Sequence, residues 1–217
     1  MPLSDIAVGF AAALALLLFA WFFVGGQLNI RRHNQVVRWL QQGQPVMGEK
    51  TTFRWLGTTG VHLGINAARE PFKNVEILVL MEPRDVVPLW LLSYAQGRRD
   101  VLILRGNLRR HARVEFDLLD TASWSGKQVL ARGVPDFWSR ASLPDGMLLL
   151  TETPDAASLA QHMKPYLSRL TPYLRRVSVR RTVPHVELHL TAPWSASLAA
   201  ADMLRTYQDI GKLLLPS

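Results

Sequence analysis

Residues 6–24, IAVGFAAALALLLFAWFFV, contain no charged or strongly hydrogen-bonding side chain and end at Gly25-Gly26. At 1.5 Å per residue a helix of that length reaches roughly 28 Å, the hydrocarbon thickness of a bilayer. A helix satisfies its own backbone hydrogen bonds, so it is the open-chain form suited to lipid. Phe19, Trp21, Phe22 and Phe23 gather at the C-terminal end of the run, where aromatic rings favour the headgroup boundary. The sequence holds no second apolar run of this length. The expectation is one membrane-spanning helix within residues 1–28.

The flanks set the expected orientation. Asp5 is the only charged side chain before the run, whereas Arg31, Arg32, Arg38 and Lys50 follow it. Basic flanks stay on the cytoplasmic side, which puts the N-terminus outside and the rest in the cytosol, at the inner membrane of the cell. A cleaved signal peptide is the competing reading, with Val24-Gly25-Gly26 as a weak small-residue site. Against it, no Lys or Arg precedes the run, and the apolar stretch exceeds the usual ~7–15 residues of a signal core. Within the span Ala7, Ala11 and Ala15 recur every four residues, a spacing that lets a second helix approach closely.

Residues 29–45 read as a basic amphipathic helix next to the membrane. Val36, Trp39 and Leu40 share one side, Arg31, Arg32 and Arg38 can reach headgroup phosphates, and Gly43 and Pro45 stop it. Such a helix either lies on the lipid surface or docks on the domain that follows.

Residues 46–217 read as one cytosolic α+β domain. In 46–132, two runs flanking Thr58-Thr59-Gly60 form a hairpin, and 75–82 is a strand apolar enough for burial on both faces. A short helix over 88–96 starts at Pro88 and ends before Gly97; strands follow at 101–108 and 113–119, with a weaker one at 127–132. Residues 133–146 connect to a β-α-β-β-α half over 147–217. There Thr153-Pro154 starts a helix carrying Leu159, Met163, Tyr166 and Leu170, with a kink or break expected at Pro165. Ser195 or Ser197 starts the last helix, whose apolar face is Ala200, Met203, Tyr207, Ile210 and Leu214. Consecutive strands with few helices point to a mixed, largely antiparallel sheet rather than a doubly wound fold.

Composition limits the chemistry. The chain has 217 residues, 48% hydrophobic and 19% charged, which excludes a disordered polymer. It has no cysteine, so disulfides, thiolate metal sites and a cysteine nucleophile are excluded. Gly126-Lys127 lacks the hydroxyl residue and upstream glycine of a phosphate-binding loop, and no GxSxG elbow occurs. One pattern carries metal-ligand chemistry: on a strand, His185, Glu187 and His189 face the same way, and two imidazoles with a carboxylate can bind Zn²⁺ or Fe²⁺. Same-face neighbours on a strand are about 6.5–7 Å apart, so one ion could hardly reach all three without a bend. The plainer reading turns Val186, Leu188 and Leu190 inward and the polar trio to water.

A formal net charge of +8 makes acidic surfaces plausible neighbours. Arg98, Arg99, Arg105, Arg109, Arg110 and Arg113 form one cluster, and Arg175, Arg176, Arg180 and Arg181 another. Anionic lipid is one partner for Arg31, Arg32, Arg38, Arg98, Arg99, Arg109 and Arg110. Nucleic acid is disfavoured because stacking aromatics do not interleave with the arginines. Neutralisation by Asp100, Glu115 and Asp117 is the alternative. The expectation is a membrane-tethered, non-enzymatic interaction module, with no cofactor, docking a protein partner or the inner leaflet. A metal-dependent enzyme built on His185, Glu187 and His189, and an accessory subunit of a larger membrane complex, are the alternatives.

Overall fold

A helix of 45 residues, α1 (Leu3–Met47), opens the chain in the computed structural model, which describes residues 3–143, 145–195 and 198–215. The remaining elements are β1 (Thr51–Trp55), β2 (Gly60–Ile65), β3 (Phe72–Leu80), α2 (Val87–Ala95), β4 (Val101–Leu108), β5 (Phe116–Asp120) and α3 (Trp124–Arg132). After them come β6 (Ser139–Ser142), β7 (Met147–Thr151), α4 (Pro154–Leu167), β8 (Leu174–Val179), β9 (Val186–Thr191) and α5 (Ala200–Leu213). The nine strands form a single sheet in the order β1-β2-β3-β4-β9-β8-β5-β7-β6, every pair antiparallel. The fold is α+β. β8 and β9 sit between β4 and β5, so the two halves of the sequence share one sheet.

Alternation along the strands gives the sheet two unlike faces. Val75, Ile77, Val79, Leu102, Leu104, Val177, Val179, Val186, Leu188 and Leu190 are buried on one face. They share a core with Ala160 and Met163 of α4, Tyr207 and Ile210 of α5, and Val36, Leu40 and Met47 of α1. Tyr207 stacks on Phe72 at 4.8 Å and donates to the Val186 carbonyl at 2.9 Å. A side chain at Gly106 would strike both rings, and this explains a glycine inside a central strand.

The first helix does not stop at Gly43 or Pro45; it runs unbroken to Met47. Pro45 falls in the final turn, and Gly43 is where α1 crosses α5: a Cβ there would lie 2.6 Å from the Ala200 carbonyl carbon. The second half of α1 is therefore docked on the domain rather than lying apart from it, and the Trp39 indole donates to the Leu198 carbonyl at 2.9 Å. The first half is bare. Its most apolar window is not buried at all, and α1 is long and apolar enough, by length and composition, to cross a membrane.

Five local expectations change. Residues 127–132 belong to α3, because Ser123 caps Gly126 N–H at 3.0 Å and Gly133 ends the helix at φ 89°. The connecting stretch 133–146 contributes edge strand β6. α4 continues through Pro165 and ends two residues later, and its buried face is Ala156, Ala160, Met163 and Leu167, leaving Tyr166 exposed. β3 is buried on one face only, with Leu80 exposed. Thr153 does cap α4 at Ala156 N–H. The last helix keeps the expected buried face, but its N-cap is Ala199; Ser197 lies outside the described residues.

Candidate functional site

Where the apolar part of α1 meets the domain, the loop after β3 and the start of β4 close on it through a buried polar latch. Arg84 donates to both Asp100 oxygens, at 2.9 and 3.0 Å, to Glu82 at 3.2 Å and to Asn29 Oδ1 at 3.3 Å. Asn29 donates to the Glu82 carbonyl, Arg32 to Asp100 at 2.9 Å, and the Trp90 indole to the Glu82 carboxylate at 2.8 Å. Two arginines and two carboxylates balance, and the planar guanidinium of Arg84 meets Asp100 in a two-pronged pair. Above them Trp21 donates to the Arg84 carbonyl and stacks on Trp90 at 5.9 Å. Gly25 makes this approach possible, since a Cβ there would stand 2.7 Å from Asp85 Cα.

The latch holds α2 beside the end of the apolar run, because Trp21 precedes Val24 by less than one helical turn. α2 is VPLWLLSYA, and its one strongly polar side chain, Ser93, is the one it buries. Leu91, Leu92 and Tyr94 are 58%, 55% and 55% exposed, and Val86 and Leu89 are exposed with them. The β1–β2 turn reaches the same level, where Thr58 donates to Asp85 at 2.9 Å and Trp55 and Leu56 are exposed. Leu80 adds a further exposed side chain. Exposed apolar side chains gathered on one helix and the turn beside it make this a candidate contact surface.

Next to α2 the second face of the sheet forms the floor of a cleft of about 720 Å³. Leu80 and Leu89 line it near α2, Arg98 and Arg99 lie on its rim, and α3 forms a wall with Trp124 and Arg132. Arg105, Arg176, Glu187 and His189 line it from three adjacent strands. A register break opposite Leu174 and Arg176 marks Arg175 as a bulge residue, and it lines the cleft as well. Arg105 pairs with Glu187 at 2.7 Å, Arg175 with Asp120 at 3.3 Å and Arg176 with Asp117 at 3.4 Å. Arg98, Arg99 and Arg132 have no ion pair among the described residues; Arg98 lies over the Trp124 ring at 4.7 Å and Arg99 over Tyr94 at 3.9 Å.

The histidine row divides. Glu187 and His189 lie 3.5 Å apart at the cleft floor. Burial opposes ionisation of Glu187, but the neighbouring His189 ring and the Arg105 and Arg176 charges outweigh it and bring its pKa down to about 2. Burial lowers the pKa of His189. His185 precedes β9 and points elsewhere: its Nδ1 accepts the Leu108 N–H at 3.0 Å and its ring sits against His111. With 5% and 8% exposure, His185 and His189 are withdrawn from water, unlike a trio on an open strand face. Among the described residues no three His, Asp or Glu side chains are grouped to hold a metal ion.

The other candidate positions scatter. Arg31 and Arg38 line a shallow hollow with Trp39 and Trp194. Arg109 donates to the Ala68 carbonyl, and with Arg110 it follows the far end of β4, an eight-residue strand about 25 Å long that Arg98 and Arg99 precede. Ala7, Ala11 and Ala15 lie on the exposed half of α1. Asp117 neutralises Arg176 and Arg180, whereas Asp100 is taken by Arg84 and Arg32. The latch carried no sequence signal because its α1 members, Trp21, Asn29 and Arg32, meet partners more than 50 residues away, and Arg132 sits on a segment read as a strand. No protein-family model matches the chain, and no curated protein is significantly similar to it.

Proposed function

We propose that this chain is a single-pass, membrane-tethered module whose cytosolic domain is held flush against the inner leaflet by α2. The observation that carries it is the latch: α1 continues from its apolar half into the domain without a break, and Arg84, Asp100, Glu82 and Asn29 lock the two together. A span joined by a flexible linker would leave the domain free to tumble. Here the level of the bilayer surface is fixed relative to the domain, and the exposed face of α2 falls at that level. Tyr94, Trp90, Trp21 and Trp55 would stand at the headgroup boundary, where aromatic rings are favoured. Arg31, Arg98 and Arg99 would reach lipid phosphates, each gaining on the order of 1 kcal/mol near an anionic surface, whereas Arg32 is held by Asp100. Arg38, some 20 Å along α1 from Val24, and Arg109 and Arg110 would face the cytosol.

Because the chain has no cysteine, single cysteines report its topology without background. Ser4→Cys and Arg110→Cys variants in intact cells, treated with a membrane-impermeant maleimide and then extracted with alkaline carbonate, test the reading. The expected result is a pelleted protein labelled at position 4 and protected at 110. Release into the carbonate supernatant, or labelling at 110 from outside, contradicts it.

A further inference from the structure

We propose that the cleft between α2, α3 and the polar sheet face holds the phosphate-bearing headgroup of an anionic membrane lipid, its acyl chains remaining in the leaflet beside α2. This rests on the placement of α2 at the leaflet surface. The cleft volume of about 720 Å³ lies within the ~300–1,000 Å³ of sites that enclose small molecules.

Its lining is graded in polarity. Leu80 and Leu89 stand at the α2 end, continuous with the exposed apolar face of that helix. Beyond them the wall turns cationic. Three of its arginines, Arg98, Arg99 and Arg132, have no carboxylate partner among the described residues. The carboxylates that do line it are already engaged: Glu82 by Arg84 and Trp90, Glu187 by Arg105 and His189. The cleft therefore carries an uncompensated positive charge, and guanidinium forks match phosphate oxygens in geometry. Glu187, held ionised at the floor, offers an acceptor to a hydroxyl on the same headgroup. A free anion would use the arginines alone. Only an amphiphile uses the arginines and the leucine end together, so the source of the phosphate is a lipid.

Calorimetric titration of the full-length protein in a non-ionic detergent tests this, with dihexanoyl phosphatidylglycerol and inorganic phosphate as separate probes. The short-chain lipid is expected to bind saturably and at least tenfold more tightly than inorganic phosphate. An Arg98→Gln/Arg132→Gln variant, both positions being exposed, is expected to weaken lipid binding at least tenfold without changing the melting temperature. Equal binding of inorganic phosphate overturns the lipid assignment; no saturable lipid binding, or unchanged binding by the variant, overturns the site. If that variant melts lower, Arg99→Gln replaces it and must weaken binding severalfold. The placement of α2 is read separately, from a spin label at Leu91→Cys in nanodiscs. A label in the acyl region without lipid binding removes the headgroup site alone, and a label in water removes both.

Discussion

Trp21, near the end of the apolar run in α1, stacks on Trp90 of α2 with ring centroids 5.9 Å apart and planes 19° from parallel. The two residues are far apart in sequence, yet this contact fixes the height of a nine-residue apolar helix against the first segment of the chain. Beneath the rings both terminal nitrogens of Arg84 are paired, to Asn29, Glu82 and Asp100, where α1 meets the segments flanking α2.

The latch should fail if one charge loses its counterpart. Asp100→Ala leaves Arg84 buried without its two-pronged partner, and removing one member of a buried pair costs about 3–5 kcal/mol. Denaturant unfolding of the full chain in detergent measures this. A loss under 1 kcal/mol would show that water or another acid replaces Asp100.

Two glycines of α1 should respond in opposite ways. Gly43→Val places atoms against the Ala200 backbone and should cost about 1–3 kcal/mol as α1 and α5 are forced apart. Gly26→Ala meets nothing within 4 Å and should be neutral or stabilising by up to ~1 kcal/mol, since alanine is the better helix former. Paired melting curves check the contrast.

Ser123→Ala removes the cap of α3 and should cost about 1 kcal/mol. Hydrogen exchange should rise in 124–132, the wall of the cleft, with little change in β3 or β4.

Stability should fall as the solution is acidified. Burial lowers the pKa of His33, His185 and His189 below the usual 6.5, so the unfolded chain takes up protons on these rings before the folded one does. Their contribution is complete above pH 6.5 and is lost as pH falls through the folded values. Glu187, ordinarily near 4.5 and here about 2, adds a second loss in the same direction below pH 4.5. Melting temperatures from pH 8 to 4 should decline from about pH 6.5 downward, and His33→Gln/His189→Gln should flatten the first part of that slope. A melting temperature that rises between pH 6.5 and 5 would contradict the assignment.

Much of the frame was legible in the sequence, because periodicity and turn residues are local. The hairpin at 58–60, the strand 101–108, the Thr153 cap and the buried face of α5 follow from neighbours within a few positions. The errors have two causes, a distant partner and a local cap that was overlooked. Gly43 and Pro45 look like a stop until Ala200 supplies the surface that α1 crosses. Residues 127–132 look like a strand until Ser123 is seen to cap them. Leu80 reads as part of a strand buried on both faces, and only the tertiary structure shows that the domain leaves it, with Leu91 and Leu92, uncovered. Of the cleft, the arginine clusters and the Glu187/His189 pair were visible as residues, but their union needed β9 to insert between β4 and β8.

The depth of α2 in a bilayer is the most direct test. A spin label at Leu91→Cys in the reconstituted full chain, compared with one at Arg110→Cys, can be read by power saturation with oxygen and a water-soluble nickel complex. The expected result is a label at position 91 that is accessible to oxygen and shielded from nickel, with the reverse at 110. Equal nickel access at both positions would mean that α2 stands in water and that the domain is merely tethered.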